Sequence, residues 1–377
     1  MKKEKVLFIS AANNIHTVRW VNSLAENFEV HLVYCKNHKP NIDVINPEVI
    51  LHELYFNAPL GYYLNSIQLK KIYKEIKPDI VNVHYASGYG TLARMSKLKN
   101  VLLSVWGSDV YDFPKESKIK KRILQKNIMY AKAIASTSNV MAEELKREVP
   151  IINKEIHITP FGVDTQKFKK TDCKRTDNNF NIGIIKKLER KYGIEYLILA
   201  VEKLIQKLTE NQEIELANSI KVYIYGDGTQ EESLRNLIKE HDLSKYIFLM
   251  GKIPNNVVPE KLNEFDAFCA TSVLNSESFG VAVVEAMACE VPVVATNVDG
   301  FSEVMENEKT GYIVEKRNIN QIAEALEILL KNEKLRKQFG KNGRRRVLEN
   351  YDWKDNVEKM KKIYINIINT NVRKKKG

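Results

Sequence analysis

The stretch SESFGVAVVEAMACEVPVVAT, residues 276–296, sets Glu277, the pair Phe279-Gly280 and Glu285 around one expected helix start. It follows AFCAT, which reads as a strand, so Phe279 or Gly280 is expected to begin the helix at the strand's carboxyl end. Ligands of open α/β sheets bind there, and the unpaired N–H groups of a helix start favour anions. Gly280 lets an anion come close to the backbone. At 1.5 Å per helical residue, Glu285 lies roughly 7 to 8 Å along the axis from Gly280. That is near the ribose-to-pyrophosphate separation of a nucleotide sugar, with hydroxyls at both ends and phosphates between. The bland alternative makes Glu277 a loop carboxylate and Glu285 a cap or surface residue. Flanking VAVV and AMA argue against a solvated face for Glu285, and a buried carboxylate needs partners.

Such a site needs strands to carry it. Runs of Val, Ile, Leu and Tyr alternate with helix-length amphipathic segments, the pattern of parallel sheets covered on both faces. KVLFIS, EVHLVY, EVILHEL, IVNVHY, VLLSVW, AIAST and EIHITP are the expected strands of the first half; NIGII, KVYIYG, IFLMG, AFCAT, VPVVAT and GYIV are those of the second. With 377 residues, 44% hydrophobic and 28% charged, the chain suits two doubly wound domains. They are expected over residues 1–170 and 171–350, with the polar stretch KKTDCKRTDNN (169–179) as linker. A terminal helix over 351–377, ending in the basic tail NVRKKKG, is expected to return to the first domain.

The net charge of +12 is uneven. Residues 1–170 hold 26 Lys and Arg against 16 Asp and Glu; the remainder holds 33 against 31. In PKESKIKKRILQKNIMYAKAI, Ile119, Ile123, Leu124 and Ile128 fall at helical spacing among Lys118, Lys120, Lys121, Arg122 and Lys126. This helix either lies on an anionic membrane surface or is a solvated face over a core. No RNA-binding or zinc-finger signature accompanies the charge, so nucleic acid is not an expected partner. Cys35, Cys173, Cys269 and Cys289 are too scattered for a zinc site or a disulfide framework, which points to a reducing, cytoplasmic setting. The start MKKEKVLFISAANN has too short an apolar run to be expected as a leader, and no stretch approaches a membrane span.

ESFGVAVVEAMACEVPVVATNVDGFSEVMENEKTGYIV closely resembles the donor-binding signature of glycosyltransferase family 4, retaining enzymes of the GT-B fold with two Rossmann-like domains facing a central cleft. HITPFGVDTQKF resembles the family's end of the first domain. IYGDGTQEESL, with Gly226, resembles its second-domain turn, and FLMGKIPNNVVPEKLNEFDAFCATS the approach to the motif. The resemblance is dense over residues 155–316 and looser before them.

By that resemblance Glu277 binds hydroxyls of the transferred sugar, Ser278, Phe279 and Gly280 offer the diphosphate their backbone, and Glu285 binds the ribose. The family also uses a basic pair after the first strand of its second domain, where this chain reads IGIIKKLERKYGIEYLI. Lys187 matches the first position. Tyr192 replaces the usual Lys before Gly193, leaving Lys191 and Arg190 as candidates for the second. Two such cations would stabilise the departing diphosphate in place of a metal, so no cofactor or metal is expected.

From the first domain, Asn13, Asn14 and His16 follow the first strand where the family has a glycine-rich loop; they contact a hydroxyl-rich ligand or simply turn and cap the chain. His84 ends one strand, and Trp106, Gly107 and Asp109 end another, Trp106 standing where the family has His. Trp106 is expected as a stacking wall for a sugar, His84 as an acceptor contact or a structural residue, and Glu277, Asp109 and His16 as the catalytic set. The implied activity is retaining transfer of a hexosyl or N-acetylhexosaminyl group from a nucleotide-sugar donor, UDP-linked, to a glycan or lipid-linked glycan acceptor at the inner membrane face. The rival readings are a nucleotide-sugar epimerase and a non-catalytic sugar- or lipid-binding subunit.

Overall fold

A computed structural model of the chain describes residues 3–171 and 178–376. Cys173 and most of the expected linker lie outside them, as do the side chains of the basic tail at 371–377. The chain divides into two compact units, Met1–Phe161 with Lys354–Gly377, and Gly162–Trp353.

The first unit holds a seven-stranded parallel sheet: β1 (Lys5–Ile9), β2 (Glu29–Cys35), β3 (Ile50–Leu54), β4 (Ile80–His84), β5 (Val101–Val105), β6 (Ala133–Ser136) and β7 (Ile156–Ile158), ordered β3-β2-β1-β4-β5-β6-β7. The second holds six: β8 (Phe180–Ile185), β9 (Ile220–Tyr225), β10 (Ile247–Gly251), β11 (Ala267–Ala270), β12 (Val293–Thr296) and β13 (Gly311–Val314), ordered β10-β9-β8-β11-β12-β13. Every run read as a strand in the sequence is one. Leu7, Ile9, Val81, Val83, Leu103 and Val105 of the first sheet, and Ile182, Ile184, Val222 and Ile224 of the second, are buried under flanking helices. Strands covered on both faces need apolar residues at successive positions, which makes these runs legible.

Strand order reverses between β1 and β4 in one sheet and between β8 and β11 in the other. Crevices outside strand ends at such reversals are where open α/β sheets take ligands. The segments after β1 and β4 contain Asn13, His16 and Tyr85; those after β8 and β11 contain Lys186 and Glu277.

The units part at Phe161, earlier than the boundary expected at 170. The reason is local. Val163 N–H donates to the Tyr351 carbonyl and Trp353 N–H to that of Val163, both within the second unit. The guanidinium of Arg344 donates to the Thr165 and Phe168 carbonyls at 2.9 and 2.6 Å. The helix Trp353–Lys376 supplies the first unit with Tyr364, which is fully buried and accepts a 2.5 Å hydrogen bond from Asn82 on β4.

Candidate active site

In the second unit, Lys186 follows β8 directly, and its ammonium lies 2.7 Å from the Glu277 carboxylate, with the side chains only 22% and 14% exposed. Burial works against the Lys186 charge, but Glu277, aided by Glu285, outweighs it and holds the ammonium above the ordinary lysine range. The Lys186 ammonium also lies 4.6 Å from the Tyr192 ring centroid, and that of Lys191 lies 5.0 Å from the same ring. Tyr192 thus gathers two cations where a lysine side chain would repel them.

Lys187, the expected first cation, is exposed. The correction follows from the two-residue period of an extended chain: Ile182, Ile184 and Leu188 point inward, so Lys186 does too. The backbone keeps that register past the strand, with Lys186 N–H on the Tyr225 carbonyl and Leu188 N–H on that of Asp227, both at 2.9 Å. Gly226 and Gly228 allow it. A Cβ on Gly226 would stand 1.8 Å from the Lys186 carbonyl oxygen, and one on Gly228 2.4 Å from that of Leu188. Gly226 therefore acts by letting the Lys186 turn pack against it. Val273 N–H donates to the Lys191 carbonyl and Thr271 Oγ1 to that of Tyr192, tying the turn to the segment after β11.

The helix Val281–Ala288 starts one residue later than expected, with Gly280 as its cap at φ +79° and no side-chain cap. Gly300 lets the helix Asp299–Val304 press on the loop: its Cβ would lie 2.2 Å from the Glu277 carbonyl oxygen and 2.5 Å from Phe279 N. The Phe279 ring is buried edge-on against Tyr351, and Ser278 is also buried, so the loop presents backbone rather than those side chains. Glu285 is partly buried one turn into the helix. Lys186, Tyr192, Glu277, Gly280 and Phe301 line one small pocket. A wider hollow of about 1050 Å³ opens at Arg190 and Lys191, with Thr229 and Arg317 on its wall.

The first unit collects its candidates in an aromatic cluster. Phe161 stacks on His16 at 4.0 Å, and Trp106 lies 4.3 Å from His84, 5.0 Å from Tyr85 and 5.2 Å from Phe161. Trp106 is 8% exposed, so it is the centre of this cluster rather than an open stacking wall. His84 is fully buried, neither ring nitrogen has a hydrogen-bond partner among the described residues, and burial lowers its pKa to about 3. Asn14 caps the helix Ile15–Ala25 through His16 N–H and bonds Tyr85, while Asn13 is exposed.

Asp109, expected as catalytic, is spent on the backbone. Its carboxylate accepts from the N–H groups of Ala86, Trp106 and Gly107 at 2.7, 3.0 and 2.9 Å and is 1% exposed. Burial raises its pKa, and those hydrogen bonds offset part of the rise. It ties the segments after β4 and β5 together and fixes Trp106, which makes it a positioning residue.

Two family descriptions match the chain: Glycosyl transferases group 1 over residues 165–346, and Glycosyl transferase 4-like over residues 5–138. The chain is a family 4 glycosyltransferase. It is 23% identical to the N-acetyl-alpha-D-glucosaminyl L-malate synthase of Bacillus anthracis, over 87% of this chain and 86% of that protein. It is 26% identical to the UDP-Gal:alpha-D-GlcNAc-diphosphoundecaprenol alpha-1,3-galactosyltransferase of Escherichia coli, over 91% and 90%. The solved sucrose-phosphate synthase of Thermosynechococcus elongatus, 16% identical, superposes with a TM-score of 0.83 over 98% of this chain and 100% of that one, so the fold is GT-B. Neither rival reading is favoured by these matches. Among the described residues of this glycosyltransferase, no helix is long and apolar enough to cross a membrane. Sequence reasoning missed Lys186 and the packing role of Phe161; the inward period set by Leu188 was the available signal for the first, and none marked the second.

Proposed function

We propose that this glycosyltransferase takes a UDP-sugar and passes the sugar, with retained anomeric configuration, to a lipid-linked glycan at the cytoplasmic membrane surface. The observation that carries the reading is the Lys186–Glu277 pair beside the uncapped start of the helix Val281–Ala288. A diphosphate arriving at that start draws the Lys186 ammonium to itself, which frees Glu277 to accept from the sugar hydroxyls. Glu285, further along the helix, takes the ribose. The bond between the anomeric carbon and the diphosphate breaks with its electron pair on the leaving oxygen. The acceptor oxygen bonds on the same face and its proton passes to the departing diphosphate. Lys186 and Lys191 offset the charge developing there, so the reaction proceeds without a metal. The E. coli relative's name supports the donor and acceptor classes. The helix Lys118–Tyr130, with Lys118, Arg122 and Lys126 exposed, supports attraction to anionic lipid.

Labelled UDP-sugars offered with a lipid-linked acceptor test this reading. Label should enter the acceptor as the retained anomer and continue to do so in excess EDTA. Acceptor-free epimerisation, binding without turnover, or an inverted product would overturn it.

A further inference from the structure

The segment YFNAPLGYYLNSI, residues 55–67 of the first unit, places an unusual amount of apolar side chain in water. Tyr55 is 72% exposed, Leu60 71% and Ile67 83%, and Phe56, Tyr63 and Leu64 are also exposed. Single exposed apolar residues are ordinary; six within thirteen positions concentrate exposed apolar side chains in one segment, a feature that calls for an occupant.

The backbone beneath the patch is well tied. Asn65 accepts from Phe56 N–H and donates to the Phe56 carbonyl, each at 3.0 Å. Asn37 makes the same pair of bonds with Ala58, at 2.8 and 3.1 Å, and Gln68 with Tyr55 N–H and the Glu53 carbonyl. These backbone groups, and the N–H groups of Gly61, Tyr62, Tyr63, Leu64 and Asn65, are met within the protein while the apolar side chains face out. That combination suits transfer into lipid, where unmet backbone would be costly.

Charge identifies the occupant. Lys70, Lys71 and Lys74 are exposed on the adjoining helix Ser66–Ile76, and among the described residues only Lys71 has a carboxylate within reach, Glu75 at 4.0 Å. That helix and the helix Lys118–Tyr130 pack Leu69, Ile76, Leu124 and Ile128 into one core cluster with Leu7, Val81 and Leu103, so both cover the same face of the sheet. On the second helix Lys120 pairs with Glu116, and Lys121 with Glu148 at 2.8 Å. Lys118, Arg122 and Lys126 remain exposed around Ile119, itself 68% exposed. Aromatic and aliphatic tips among lysines form the composition of a surface that sits in the headgroup layer of an anionic membrane.

We propose that residues 55–67 are a membrane-inserting foot, driven into the lipid interface by Leu60, Tyr63, Leu64 and Ile67 and held over anionic headgroups by the lysines beside them. The proposal deepens the membrane reading given above and makes the attachment partly apolar, hence partly resistant to salt.

The test uses the whole chain with phosphatidylcholine vesicles, with and without phosphatidylglycerol, at low and high salt. One variant combines Leu60→Ser, Leu64→Ser and Ile67→Ser; a second combines Lys118→Gln, Arg122→Gln and Lys126→Gln; a third, Leu64→Trp, reports insertion by its emission. These side chains are exposed, so melting temperatures should match the parent. The parent should keep part of its vesicle binding at high salt, and the serine variant should lose it by about tenfold or more. The glutamine variant should lose chiefly the salt-sensitive part. Emission of the Leu64→Trp protein should shift to the blue and be quenched by brominated acyl chains. Equal binding of parent and serine variant, an unshifted emission, or a parent dimer that the serine substitutions abolish would overturn the proposal. Transfer to a water-soluble acceptor alone would defeat the lipid-linked reading and leave the vesicle result standing.

Discussion

The Lys186 ammonium and the Glu277 carboxylate, 2.7 Å apart and from segments that follow different strands, hold each other in reserve at the start of the helix Val281–Ala288. Each is the other's partner until a ligand brings both a diphosphate and hydroxyls. Glu277→Ala should therefore separate the two functions. Turnover should fall about 10²–10³-fold, since the lost hydrogen bond acts on the reacting sugar. Binding of the nucleoside diphosphate alone should hold or tighten, because Lys186 no longer has to leave a carboxylate. Calorimetry beside a turnover assay decides this, and unchanged turnover removes Glu277 from the catalytic set.

The two adjacent lysines give a sharper comparison. Lys186→Ala should lower kcat/KM by about 10²-fold or more, while Lys187→Ala, whose side chain is exposed, should stay close to the parent. Equal losses in both variants would show that the inward register of Lys186 does not decide the chemistry.

That register also shows what the sequence could and could not disclose. The strands were legible because sheets buried on both faces demand unbroken apolar runs, and the Glu277–Glu285 spacing was legible because a helix has a fixed rise. Choosing between Lys186 and Lys187 required tracing the two-residue period beyond the strand end, where Leu188 carries it. Asp109 looked catalytic because a carboxylate at a strand end has that chemistry. Only folding brings the N–H groups of Ala86, Trp106 and Gly107 together onto it. Trp106 looked like a platform because an aromatic ring stands at a strand end where the family has His, and its enclosure by His84, Tyr85 and Phe161 depends on segments far apart in the chain.

Gly226 should be intolerant of any side chain. Its φ of +152° already disfavours one, and a Cβ would fall 1.8 Å from the Lys186 carbonyl oxygen. Gly226→Ala should destabilise the second unit by about 3 kcal/mol or more and displace the Lys186 turn. Melting curves should show the first effect, and loss of diphosphate-dependent stabilisation the second. A variant that melts and binds like the parent would contradict the packing role.

Asp109→Ala should act on stability more than on chemistry. It leaves the N–H groups of Ala86, Trp106 and Gly107 without their acceptor, at a cost of about 3 kcal/mol or more. Asp109→Asn keeps one acceptor oxygen and should recover part of that loss. Near-ultraviolet circular dichroism should register the freed Trp106 in the alanine variant. An alanine variant as stable as the parent but inactive would return Asp109 to the catalytic set.

His84 should make the first unit sensitive to acid. The folded state keeps the ring neutral down to about 3, whereas an exposed histidine takes a proton near its ordinary value of 6.5. Its contribution is therefore present above 6.5 and declines as pH falls through 6.5 toward 3, because the unfolded chain binds the proton that the folded chain refuses. Between about pH 7 and about pH 5 the loss should be about 2 kcal/mol. Burial lowers His38 and His52 in the same direction and raises Asp109, which acts in the opposite one, so the His84 share is read from the difference between variant and parent. His84→Phe keeps a ring against Phe8 and Trp106 but cannot titrate. Denaturant titrations across that pH range should give a shallower decline in this variant than in the parent. Parallel declines would mean that His84 takes up its proton without unfolding.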